Sequence, residues 1–305
     1  MNINQLPSQE GRTIIITGAN TGLGYETTLT LAKKGGRVIM ACRDLSKANA
    51  AKSSIEKQIP EADLEVLEID LSSLVSVRKF AKEFHKKHDQ LAILINNAGV
   101  MMTPYTETDE GFELQFVTNY LGHFLLTGLL LPILLKTPQS RIVSLSSLIH
   151  KNGKIKFNDL QSKKKYSPQV AYSQSKLACL LFAFELQRRL EKAGVSGTIS
   201  TAAHPGVAET ELSRHLPKLL NSILQYTIGP LISQSAAEGA KPTILASISE
   251  AKGGDYFGPT GFMEMKGKAG KASSSNLAND EALAKRLWEV SEQLVDLQYL
   301  DEDTN

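Results

Sequence analysis

Cysteine is nearly absent: Cys42 and Cys179 are the only two in 305 residues. That excludes a disulfide framework and fits a reducing compartment, so a cytoplasmic protein is expected. Net charge is almost absent too, at +2, and no dense basic stripe appears; Lys163, Lys164 and Lys165 form a short run that reads as a solvated loop. Nucleic-acid binding is therefore not expected. Long apolar runs are missing. The longest, 125–135, is broken by Thr127, Gly128 and Pro132. It falls short of the ~20 residues a bilayer span needs and reads as a buried or interface helix. Residues 1–11 are polar without an apolar signal core, so no leader is expected there. No His, Cys, Asp or Glu cluster has metal-ligand spacing, and no bound metal is expected.

What remains is the composition of an ordinary globular chain, 42% hydrophobic and 22% charged. Ile14-Ile15-Ile16 is a short β-branched run ending in glycines and reads as a buried strand over 12–17. A helix follows over 21–34 and stops at Gly35-Gly36. Further strands are predicted over 37–41, 64–69, 92–95, 141–145 and 198–202. Helices are predicted over 45–58, 74–88, 112–135 and 170–193. Strand–helix alternation over some 200 residues predicts an α/β fold, a single-domain doubly wound parallel sheet with helices on both faces. Beyond Pro205 the pattern is mixed. Residues 207–235 read as a mobile substrate lid, 236–249 as a helix, 258–270 as a Gly-rich loop and 279–297 as a last amphipathic helix. Residues 253–305 read as a C-terminal extension of the one domain.

Three groups of residues carry chemistry. Gly18, Gly22 and Gly24 lie between a strand and a helix, where a glycine turn lets backbone approach pyrophosphate at a helix N-terminus. Their spacing is G-x3-G-x-G, not the G-x-G-x-x-G of many dehydrogenases. At the end of the second strand, where an adenosine ribose sits, the chain reads Ala41-Cys42-Arg43-Asp44. Arg43 can fork onto a 2′-phosphate, which favours NADP(H) over NAD(H); the alternative is a plain pairing with Asp44 or solvent. Asp70 can accept from an adenine amino group or cap the next helix. The third group is Tyr172 and Lys176, one helical turn apart on one face. An ammonium there stabilises phenolate and equips the tyrosine for proton transfer. Together with a dinucleotide, that pair points to hydride transfer to or from a carbonyl.

These residues carry a family resemblance. Thr17-Gly18-x3-Gly22-x-Gly24, Asp70-Leu71, Asn96-Asn97-Ala98-Gly99, Asn119, Ser147, Tyr172-x3-Lys176 and Pro205-Gly206 resemble, in order, the motifs of the short-chain dehydrogenase/reductase family. Ala41-Cys42-Arg43-Asp44 and His204-Pro205-Gly206 resemble its retinol dehydrogenase and protochlorophyllide reductase-like branch. So does the 25-residue gap from Ser147 to Tyr172. The polar N-terminus departs from that branch's membrane-bound members.

The resemblance implies Tyr172 as general acid or base, Lys176 on the nicotinamide ribose, Ser147 as donor to the substrate oxygen, and Asn119 as the residue that places a water behind the lysine. It implies a dinucleotide held by Gly18, Asn20, Thr21, Gly22, Leu23, Gly24, Arg43, Asp70, Leu71, Asn97, Ala98, Gly99, Pro205, Gly206, Val207 and Thr210, besides Tyr172 and Lys176. Thr210 also reads as a helix N-cap, and His204 as a buried hydrogen-bonded side chain. Strand alternation lets only one of Ser146 and Ser147 face the substrate. The expected function is NADP(H)-dependent interconversion of an alcohol and a carbonyl. Leu212, Leu216, Leu219, Leu220, Ile223, Leu224, Phe257 and Phe262 point to a lipophilic small molecule. A homodimer or homotetramer paired through residues 119–135 and 172–193 is expected. The alternative is a regulatory protein that senses NADP(H) with little turnover.

Overall fold

Ile14, Ile15 and Ile16 are each fully buried in β1 (Thr13–Thr17). Ile15 packs with Phe80, Phe124 and Leu181, whereas Ile14 and Ile16 pack with Leu23, Leu31 and Ile244. Side chains alternate across a strand, so a run that is apolar at every position needs cover on both faces. The computed structural model, which describes residues 5–208 and 233–300, supplies it. One sheet holds β1, β2 (Arg37–Cys42), β3 (Leu64–Glu68), β4 (Ile93–Asn96), β5 (Ser140–Leu145), β6 (Thr198–Ala203), β7 (Tyr256–Pro259) and β8 (Ala269–Lys271). The strand order is β3-β2-β1-β4-β5-β6-β7-β8, parallel except for the antiparallel β8.

Helices α1 (Gly22–Lys33) and α2 (Leu45–Gln58) cover the Ile14/Ile16 face. Helices α3 (Leu74–Lys87), α4 (Leu114–Lys136) and α5 (Pro168–Lys192) cover the other. Later in the chain, α6 (Ala236–Ile248) joins the first layer and α7 (Glu281–Val295) the second. The doubly wound architecture expected from the alternation is thus the observed one.

Helix α4 differs from its predicted form. It starts two residues late, because the Glu113 carboxylate accepts from the amides of Gln115 and Phe116 (3.0 and 2.7 Å) and fixes the first turn there. Residues Val117–Leu121 form a π-turn around Asn119. Among the described residues α4 is the one helix long and apolar enough to cross a membrane, with mean hydropathy 1.5, yet 83% of that apolar window is buried inside the fold. The buried-helix reading of 125–135 holds.

The predicted 258–270 loop is a correction. It contains the second half of β7 and the first two residues of β8, joined through a 3-10 turn at Phe262–Glu264. Strands of four and three residues carrying Gly258, Pro259 and Gly270 are too short to show a period of two. Of residues 253–305, the described part supplies β7, β8 and α7 to the same sheet and core. The expected lid over 207–235, with Thr210, Leu212, Leu216, Leu219, Leu220, Ile223 and Leu224, lies outside the described residues except at its ends.

Candidate active site

After β1, β2 and β3 fill one side of the sheet, the chain returns to place β4 on the other side of β1. Such a switch point opens a crevice at the carboxyl ends of the strands. A cleft of about 290 Å³ lies there, walled by Gly18, Asn20, Thr21, Gly22, Leu23, Gly24, Arg43, Asp70, Leu71, Asn97, Ala98 and Gly99. All twelve were expected from the sequence. Gly18 takes φ +66°, and a Cβ on Gly24 would stand 2.1 Å from the Gly18 carbonyl oxygen, so turn and helix pack at backbone distance. Thr21 makes no side-chain cap, and the first turn of α1 holds no acidic residue. The amide end of α1 is thus left for an anion.

At the end of β2, Asp44 caps α2 by accepting from the Lys47 amide at 3.0 Å, and its carboxylate lies 3.9 Å from Lys47 Nζ. Arg43 makes no ion pair with Asp44 and stands exposed on the cleft wall. Lys47 is a second cation on that wall which the sequence reading missed. The signal was its spacing, four residues after Arg43 at the start of a helix. Cys42 also lines the cleft; burial pushes its thiol up to about 11, leaving it protonated.

Asp70 does not cap α3. Ser73 does, while Asp70 Oδ1 accepts from the Ser72 amide (2.9 Å) and hydroxyl (2.6 Å). Asn97 ties its amide to the Thr17 carbonyl at 2.7 Å, but its Oδ1 is buried without a partner, as is Thr118 Oγ1 on the same wall. Orphaned buried acceptors and a glycine-floored, amide-lined cradle fit a nucleotide ligand.

Two of the catalytic candidates, Asn119 and Lys176, meet at Gly99 on the cleft wall. A Cβ on Gly99 would lie 3.0 Å from Asn119 Oδ1 and 3.5 Å from Lys176 Nζ, so these groups converge on one point. Asn119 is buried; its Oδ1 accepts from the Val100 amide (2.7 Å) and its Nδ2 donates to the Val100 carbonyl (3.0 Å) and Ser175 Oγ (2.9 Å). Lys176 Nζ donates to the Leu145 carbonyl (3.1 Å) and lies 6.0 Å from the Tyr172 ring centre. Ser146 is buried with its hydroxyl donated to the Lys176 carbonyl (2.8 Å). Ser147 is half-buried, and its hydroxyl makes only a long 3.5 Å contact with the Ile149 amide. Ser146 is thus spent on structure and Ser147 left available.

Pro205, Gly206 and Val207 follow β6 but are not part of the cleft wall. Gly206 (φ +66°) packs against the Met265 carbonyl, which accepts from the Val207 amide at 2.7 Å. His204 is fully buried, accepts from the Gly206 amide at 3.2 Å, and is pushed by burial down to about 4. It is a buried, hydrogen-bonded histidine, as expected.

The family model described as short chain dehydrogenase matches residues 12–219. Retinol dehydrogenase 13 of Mus musculus is 44% identical over 294 residues, covering 94% of this chain and 84% of that protein. Retinol dehydrogenase 14 of Homo sapiens is 41% identical, with 94% and 87% covered. The crystal structure of an uncharacterized protein from Mycobacterium paratuberculosis is similar at TM-score 0.82 and 41% identity over 98% of each chain. A short chain dehydrogenase from Shigella flexneri complexed with NADP shares the fold at TM-score 0.64 and 21% identity, over 83% of this chain and 98% of that one.

Proposed function

The chain belongs to the short-chain dehydrogenase family, and from that premise we propose an NADP(H)-dependent oxidoreductase that interconverts a lipophilic alcohol and its carbonyl. The observation that carries the reading is the convergence of Lys176 and Asn119 on Gly99 on the wall of a glycine-floored cleft, with Tyr172 one turn away on α5. The cofactor, when bound, supplies or accepts the hydride.

The chain's own groups handle the proton and the charge. In reduction the Tyr172 hydroxyl gives its proton to the carbonyl oxygen; in oxidation the phenolate takes it back. Lys176, on the same helix, places its ammonium 6.0 Å from the Tyr172 ring centre. Ser147 donates to the oxygen on which charge develops. Asn119 holds the Val100 backbone and Ser175, and so fixes the cleft wall against α5. Arg43 and Lys47 supply two cations for a 2′-phosphate, and the α2 cap occupies Asp44, the nearest carboxylate. The lipophilic substrate class draws on the name of the 41–44% identical retinol dehydrogenases. A homodimer or homotetramer in a reducing cytoplasm completes the reading, and sedimentation velocity tests the assembly.

The decisive experiment follows NADPH and NADH oxidation over a panel of aldehydes and ketones of increasing chain length. Turnover with NADPH that rises with substrate apolarity and disappears in Tyr172→Phe is expected. Binding of NADPH without turnover on any carbonyl would overturn the catalytic reading.

A further inference from the structure

His123 is buried on α4, one turn beyond Asn119, and it is not part of the cleft wall. Its ring nitrogens reach in opposite directions. Nδ1 lies 3.0 Å from the main-chain oxygen of Asn119. A carbonyl only accepts, so Nδ1 carries the proton and Nε2 is an acceptor. Thr17 Oγ1, 2.9 Å from Nε2, therefore donates to it. The same Thr17 oxygen accepts the amides of Asn97 and Ala98, each at 2.9 Å. The Thr17 hydroxyl has a second acceptor in the Ile95 carbonyl, but at 3.4 Å it is the longer of the two, so the proton points to Nε2. Burial pushes the imidazole down to about 4, so the ring stays neutral and keeps that sense at physiological pH. The Asn119 carbonyl lies inside the π-turn, and the Cys179 thiol also donates to it at 3.2 Å.

We infer that His123 is a positioning residue that holds two parts of the site at once, the nucleotide-binding turn at Asn97 and Ala98 through Nε2 and the Asn119 corner of the catalytic site through Nδ1. One end of the ring sets the hydroxyl that orders two amides of the cleft wall. The other end holds the backbone of the residue whose side chain fixes Val100 and Ser175. The inference rests on the dehydrogenase reading, and its experiment separates the two.

Asparagine can reproduce the Nδ1 donor alone and glutamine the Nε2 acceptor alone. His123→Asn is expected to keep turnover near wild type and weaken NADPH binding roughly three- to tenfold, the scale of one lost hydrogen bond. His123→Gln is expected to keep NADPH affinity and lower kcat by a similar factor. A merely structural role would lower the melting temperature of both variants without dividing affinity from turnover. Affinity and kcat that move together in both variants, or in neither, would overturn the inference.

Histidine ¹⁵N spectra of the wild-type protein decide the matter even where a variant fails to fold. The His123 ring should be the neutral Nδ1–H tautomer, and its signals should move when NADPH binds. The Nε2–H tautomer, or signals indifferent to NADPH, would overturn the inference. A wild-type protein that binds no dinucleotide would remove the dehydrogenase reading and this inference with it.

Discussion

Ser146 and Ser147 are neighbours in different settings, the first buried and bonded to the Lys176 carbonyl, the second half-buried. Ser147→Ala is expected to lower kcat by about 10²-fold, the scale of one donor to a developing oxyanion. Ser146→Ala removes a buried hydrogen bond to the Lys176 carbonyl. It is expected to cost about 1 kcal/mol of stability and leave most turnover intact. Steady-state rates beside urea unfolding distinguish them, and the reverse order would reassign the donor. Tyr172→Phe keeps the ring and removes the proton; a loss of about 10²–10⁴ in kcat with unchanged NADPH affinity is expected. Arg43→Ala should erode the preference for NADPH over NADH by about 1–3 kcal/mol. Lys47→Ala should erode it in the same direction. Titrating both coenzymes against each variant checks this, and equal wild-type affinities would return Arg43 to the solvated surface.

Helix α7 contributes one side chain of large weight. Trp288 is buried, meets Phe124 edge-on at 5.0 Å, stacks on Phe182 at 5.7 Å, and carries the Arg189 guanidinium over its ring at 4.5 Å. Its Nε1 donates to Glu292 at 2.8 Å, so no polar atom is stranded. Trp288→Ala should cost about 3–5 kcal/mol, read from the urea midpoint. Elements with a clear period were legible from sequence: α2 was read residue for residue over 45–58, and the β1 run announced a two-faced strand by itself. Elements decided by tertiary contact were not. The π-turn at Asn119 leaves no trace in a periodicity that tolerates one extra residue. The β7–β8 hairpin exists because β6 offers an edge, not because Tyr256 to Pro259 insists on extended backbone. In the site, the residues named by glycine spacing line the cleft, and Tyr172 and Lys176 share one helix. Lys47 was missed because an exposed lysine on a helix looks like any other until the cleft beside it is known.

The whole molecule disfavours charge on its buried histidines. His123 and His204 are both driven by burial down to about 4, and burial lowers His150 as well. An unfolded chain binds protons at these rings once pH falls below about 6.5. A histidine with a depressed folded pKa favours the unfolded state as pH drops, so the contribution of these rings to stability should decline from about pH 6.5 and level off near 4, where the folded rings protonate too. Each fully withheld proton costs about 1.4 kcal/mol per pH unit. Urea unfolding at pH 7.5, 6 and 5 measures the slope; a flat profile would mean that these rings reach solvent.

The packing of Trp288 against Phe124 and Phe182 also bears on how the protein is made. Those two rings belong to helices finished long before α7 exists, and the indole that covers them is made only after β8. Until then the growing chain presents an aromatic surface with no cover, the kind that attracts chaperones or other nascent chains. A messenger truncated before Glu281 should therefore yield a product recovered in inclusion bodies, even though every strand of the sheet has been translated.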